Sequence, residues 1–322
     1  MVLRIVATFV FAATATLFAA GAFAQDKTVV KLSYIVDHPA IEATKNGIIQ
    51  ELEKAGYVEG ETMDLEIQSA QGSMPTQTQI NNKFVGESPD LIVAISTPSA
   101  QTAMAATSDI PIVFAAVTDP LSAGLVDSYQ APGRNLTGSS DKTPIDKHLG
   151  LVKRIVPDAK TIGVIYNGGE ANSVAQVEVV KEEAEKAGLA VVEATATQTS
   201  GVLDAARSLV GKIDVIYIPT DSTVVSAIES VVRVGADADV PVIAADTASV
   251  ERGAIAALGF NYTDIGAAAG EHAVAILKGE DPAVLPVRFV DVLELYLNPG
   301  AAAEMGVELP ADLVSEATTV VE

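Results

Sequence analysis

The sequence predicts an α/β protein of two similar lobes, each a parallel sheet flanked by helices. Three observations carry this reading. Short apolar runs such as Leu91–Ile95 and Ile162–Ile165 have the near-continuous hydrophobicity of strands buried on both faces. Amphipathic stretches that end in glycine alternate with them, as at Ala40–Gly56 and Val174–Gly188. The order also repeats. Glu53-Lys54-Ala55-Gly56 returns as Glu185-Lys186-Ala187-Gly188, Pro89–Ala94 is echoed by Ile213–Ile218, and Asp109–Val113 by Asp239–Ile243.

Taken in order, residues 1–24 come first. Arg4, the apolar run Ile5–Ala20 and Ala22-Phe23-Ala24 read as a secretory signal cleaved before Gln25. Strands follow at 31–36, 63–69, 91–95 and 110–115, with helices at 40–54 and 75–85. Thr97 is the expected N-cap of a third helix, with Pro98 at its first position. The turn residues of 132–141 mark where the chain leaves the first lobe. Strands are expected in the second lobe at 161–166, 189–194, 213–218, 240–245 and 254–258. Ser173 with Gln176 fits a capping box at the helix after the first of these. The helix 264–277, rich in Gly and Ala, is assigned back to the first lobe. Residues 286–322 carry one or two strands and a tail. The lobes are therefore 25–141 with about 260–284, and 142–259 with about 285–322. Several crossings between lobes suit a hinge.

Composition narrows the function. A net charge of −22 leaves no basic footprint for nucleic acid and no polybasic anchor for anionic lipid. With no Cys there is no disulfide, thiolate metal site or lipidated cysteine, and three His make a multi-His metal site improbable. No GxSxG elbow, Walker loop or GxGxxG occurs, so neither catalysis nor a cofactor is expected.

The candidate site residues lie in the loops after the strands, where open α/β sheets bind ligands. Ser96, Thr97 and Thr118 offer hydroxyls, and a helix N-terminus there suits a carboxylate. Asp221 and Asp246 can meet an ammonium or cap the next helix. Glu170, Asn172 and Ser173 share one loop, in which Asn172 or Ser173 must cap. His38 holds the matching position in the first lobe, while His148 and His272 fall inside helices and read as structural. Gln71, Val117, Tyr166 and Thr220, in the same loops, complete the set. Tyr34, Tyr166 and Phe114 are available to line a pocket for an apolar or aromatic side chain.

HPA at 38–40, AQG at 70–72, IVAISTPSAQ at 92–101, IPIVFAAVTDP at 110–120, PGRNLTGSSD at 132–141, GVIYNGGEANS at 163–173, IYIPTDSTVVSAIE at 216–229, VPVIAAD at 240–246 and RGAIAALGFNYTDIG at 252–266 together resemble exported substrate-binding proteins of ABC importers, in particular the tryptophan/tyrosine-type family. The chain departs from the pattern at Gly168, where the family usually has Pro, and at Ala245, where Gly is frequent. The resemblance implies a type I periplasmic-binding fold with two Rossmann-like lobes and a three-segment hinge that closes on ligand. It implies a periplasmic monomer that hands an amino-acid-like solute to an inner-membrane permease with its ATPase. By position it places Ser96, Thr97 and Thr118 on the ligand carboxylate and Asp221 or Asp246 on the ammonium. A ligand-sensing module for a membrane signalling partner and a hydrolase or isomerase remain as alternatives.

Overall fold

The computed structural model describes residues 27–321, so the expected leader at 1–24 lies outside the described residues. The chain opens with five parallel strands: Thr28–Tyr34 (β1), Met63–Ser69 (β2), Leu91–Ile95 (β3), Ile112–Ala115 (β4) and Leu136–Ser140 (β5). Five more follow, Thr161–Tyr166 (β6), Ala190–Thr195 (β7), Val215–Ile218 (β8), Val242–Ala244 (β9) and Ala256–Phe260 (β10). Arg288–Phe289 (β11), Leu293–Leu297 (β12) and Thr319–Val320 (β13) complete the strands among the described residues.

These strands form two sheets, ordered β2-β1-β3-β4-β5-β11 and β7-β6-β8-β9-β10-β12-β13. The first is wholly parallel; the second is parallel except where β12 runs against β10. Every residue of β3 is buried. Alternate side chains feed two cores: Val93 and Ile95 pack with the helices Pro39–Lys54 and Tyr262–Leu277, Ile92 and Ala94 with the opposite face. The second sheet has its own continuous core around Tyr217, Ile216 and Val242. No helix among the described residues is long and apolar enough to cross a membrane.

The chain passes between the sheets three times, after β5, after β10 and after β11. The last passage falls at 290–292 rather than near 285, because Arg288 and Phe289 pair with Ser139 and Ser140 as an edge strand of the first sheet. The helix Tyr262–Leu277 crosses Pro39–Lys54 at backbone contact. A Cβ on Gly266 would lie 2.0 Å from the Thr44 carbonyl oxygen, and one on Gly47 would lie 2.2 Å from that of Thr263. The small residues of 264–277 thus let two backbones touch over the first sheet.

Two histidines are held inside the lobes. His148 Nδ1 meets the Tyr217 hydroxyl at 2.7 Å, and His272 Nε2 meets the Pro286 carbonyl oxygen at 2.8 Å. Burial lowers the pKa of both, to about 4 for His148.

Candidate functional site

The carboxyl ends of β1, β3, β4, β6, β8 and β9 converge on a cavity between the sheets with about 470 Å³ of empty space. His38, Ser96, Thr97 and Thr118 line it from one side, and Asn172, Thr220, Asp221 and Asp246 from the other. The two walls are in contact. Thr118 Oγ1 is 3.2 Å from Thr220 Oγ1, and His38 Nε2 is 4.0 Å from Asp246 Oδ1.

On the first wall, the helix Thr97–Ala106 starts at the cavity. Ser96, not Thr97, occupies its N-cap position, and no side chain caps it. Thr97 is the first helical residue instead, its Oγ1 buried without a partner. Ser96 holds φ 77° and ψ 157°, a region that L residues adopt only under strain. Ala116, which also lines the cavity, is left-handed at φ 51°. The strain presents uncapped N–H groups and a hydroxyl to the cavity, a disposition that favours a carboxylate. Ser96→Gly should therefore raise the stability of the unliganded protein by about 1 kcal/mol while shrinking any ligand-induced stabilisation. Paired melting curves with and without ligand check this, and a lower unliganded Tm would remove the strain argument.

His38 caps the helix Pro39–Lys54, its Nδ1 accepting from the Ala40 N–H at 3.2 Å. That places the ring proton on Nε2, facing Asp246. Burial lowers the pKa of His38, with Asp246 opposing, so the ring is neutral near pH 7.

The second wall is a braced loop system. Asp221 Oδ1 accepts from Val224 N at 2.8 Å, and its Oδ2 from Asn167 N and Ser173 Oγ, both at 2.6 Å. Glu170 accepts from the backbone of Ser222 at 3.0 Å and Thr223 at 3.1 Å. Burial, then the charge of Glu170, raise the Asp221 pKa. The expected capping box does not form. The helix starts at Ala171 with Glu170 at the N-cap position, so Ser173 lies within the first turn and donates its hydroxyl to the buried Asp221 carboxylate. Gln176 reaches the Thr220 carbonyl oxygen instead, together with Asn172 Nδ2 at 2.8 Å. Asp246 accepts from Ser249 N at 3.0 Å and Ser249 Oγ at 2.6 Å.

Five of the expected residues do not line this cavity. Val117 is fully buried in the first lobe's core, and Tyr166 donates to Glu193 at the surface, 2.7 Å away. Glu170 and Ser173 brace the loops behind the wall. Gln71 is exposed and, with Glu170, borders a wider neighbouring opening. Tyr34 and Phe114 also belong to the cores. The aromatic ring that does line the cavity is Tyr262, whose hydroxyl donates to Asp141 Oδ2 at 3.1 Å. Val36, Ile41, Ala116 and Val225 add an apolar surface.

Among the described residues, no lysine or arginine lines the cavity. Four of its buried polar atoms lack a hydrogen-bond partner: His38 Nε2, Thr97 Oγ1, Asp141 Oδ1 and Asn172 Oδ1. Buried polar atoms are almost always paired with protein groups, water or a bound molecule, so these four are the positions where a polar guest could bond.

Comparison with known proteins is consistent with this geometry. The chain is 46% identical over 269 residues to the tyrosine-binding protein of Clostridioides difficile (strain R20291), covering 84% of this chain and 78% of that one. A Streptococcus pneumonia ABC domain in complex with L-Trp is 33% identical with a TM-score of 0.88, covering 92% of this chain and all of the other. The ligand-free, open structure of a substrate-binding protein with adhesive properties from Clostridium difficile is 44% identical, yet its TM-score is 0.69, with 92% and 99% covered. Solute-binding proteins under 25% identical share the type I periplasmic-binding fold alone, with its two Rossmann-like lobes. Residues 29–321 match the family described as ABC transporter substrate binding protein, a family of binding proteins rather than enzymes. The chain belongs to that family.

Proposed function

We propose that this protein is the exported receptor of an ABC importer and encloses one aromatic amino acid, as a zwitterion, between its lobes. The observation that carries the proposal is the set of unpartnered buried atoms. Donors cluster at the uncapped helix start of Thr97–Ala106, acceptors at Asp141 and Asn172, and Val36, Ile41, Ala116 and Val225 give the same cavity an apolar surface. A zwitterion with an apolar side chain satisfies all three. The relatives that bind tyrosine and L-Trp support that ligand class. The lobes, 27–141 with 262–289 and 142–260 with 293–321, turn about the three crossings. Closure about a ligand is supported by the better match to the less identical L-Trp complex than to the open structure. The leader at 1–24 supports export, and an inner-membrane permease with its ATPase would take the ligand over.

Thermal melting tests the reading on residues 25–322 after unfolding and refolding to strip carried-over ligand. L-tyrosine or L-tryptophan at 100 times its dissociation constant should add about 2.7 kcal/mol of stability. Shifts given only by sugars or organic acids would discard the ligand class. A protein that responds to none of them would lose the receptor role as well.

A further inference from the structure

Three carboxylates line the cavity, and they are not equivalent. Both oxygens of Asp221 are engaged, by the Val224 N–H on one and by the Asn167 N–H and Ser173 hydroxyl on the other. Both oxygens of Asp246 are taken by Ser249, through its N–H and its hydroxyl. Asp141 is different. It is 3% exposed, its Oδ2 accepts from the Tyr262 hydroxyl, and its Oδ1 accepts from nothing among the described residues.

We propose that Asp141 is the group that receives the ligand's ammonium, with Asp246 facing it from the second lobe. This deepens the amino-acid reading and rests on it. Asp141 stands just beyond β5, where the chain first leaves the first lobe, so an ammonium there touches the hinge side of the cleft. A buried carboxylate needs a counter-ion, and no lysine or arginine among the described residues lines the cavity to provide one. An ammonium has three donors and supplies the bond that Oδ1 lacks. It also relieves the repulsion between two acidic groups that closure brings together. Burial first, and the charge of Asp246 after it, push the Asp141 carboxyl above the ordinary range. The hydroxyls of Thr118 and Tyr262 offset part of this, although only Tyr262 reaches it in hydrogen-bond geometry; Thr118 contacts Thr220 instead. The roles follow from the bonding. Asp221 and Asp246 shape the second wall, and Asp141 reads the charge.

The test compares purified wild type with Asp141→Asn, which keeps the size of the side chain and can still accept from Tyr262. Each is titrated calorimetrically with L-tyrosine and L-tryptophan, and with their desamino analogues 3-(4-hydroxyphenyl)propanoate and indole-3-propanoate. Wild type should prefer the amino acids. The variant should lose about 30-fold or more in affinity for them and little for the analogues, so that the preference narrows or reverses. Its unliganded Tm should equal or exceed that of wild type, because an uncompensated buried charge has been removed. Amino-acid binding within threefold of wild type would overturn the assignment and leave the receptor reading intact. Equal loss of both ligand types together with a lowered unliganded Tm would also overturn it, by making Asp141 structural. Asp141→Ser reads the same preference should the asparagine variant fail to fold. Wild type that binds no amino acid at all would overturn both this assignment and the reading beneath it.

Discussion

An oxidised Thr118→Cys/Thr220→Cys variant, loaded with ligand before oxidation, should retain that ligand at least about 100 times longer than its reduced form. The two hydroxyl oxygens belong to separate lobes and lie 3.2 Å apart. Sulfurs at the same positions need only a small approach to reach a bond of about 2.05 Å. The chain contains no other cysteine, so only one intramolecular disulfide can form. With the lobes tied, escape requires local unfolding rather than a hinge rotation. Retention through dialysis, followed by release on adding a reductant, is the measurement. The same variant oxidised while empty should take up no ligand. Equal exchange in the oxidised and reduced forms would show that ligand does not pass between the lobes.

Gly266→Val should cost about 4 kcal/mol or more and leave the first lobe unfolded near 37 °C. Alanine alone would set its Cβ 2.0 Å from the Thr44 carbonyl oxygen, and valine adds two methyl groups at the same contact. Pushing the helices apart would strip Ile48 and Ile265 from a core in which both are fully buried. Denaturant melts followed by far-ultraviolet circular dichroism read the effect. Gly86, where a Cβ would meet nothing within 4 Å, gives the control: Gly86→Ala should be nearly neutral. A comparable loss at both positions would mean that backbone contact is not what Gly266 provides.

The sheets are legible in the sequence because a strand buried on both faces must be apolar throughout. The run at 91–95 is short and β-branched, which favours a strand, and its limits agree with the structure residue for residue. Pairing across long sequence separations is not legible. Ser173 with Gln176 has the spacing of a capping box, and nothing local reveals that Asp221 will stand beside it. Ser96 reads as a hydroxyl donor, but its positive φ is set by the join of β3 to the next helix and by the packing around it, which a serine does not announce. Asp141 ends the run Gly138-Ser139-Ser140-Asp141, whose composition is that of a linker. Its partner Tyr262 is 121 positions away. What marks Asp141 is burial without a counter-ion, and burial exists only once both lobes are assembled.

The route of the chain also sets an order for folding. The first sheet takes β1 to β5, yet its crossing helix at 262–277 and its edge strand at 288–289 are made only after β6 to β10 of the second sheet. Contacts such as Thr44 with Gly266 close a loop that contains nearly the whole second lobe. Such non-local contacts slow the search for the native state. As the ribosome releases the chain, the first lobe stays incomplete until residue 289 has emerged. Until then the apolar face that Ile265, Ala269 and Ala273 later cover stays open, the kind of transient surface on which nascent chains aggregate.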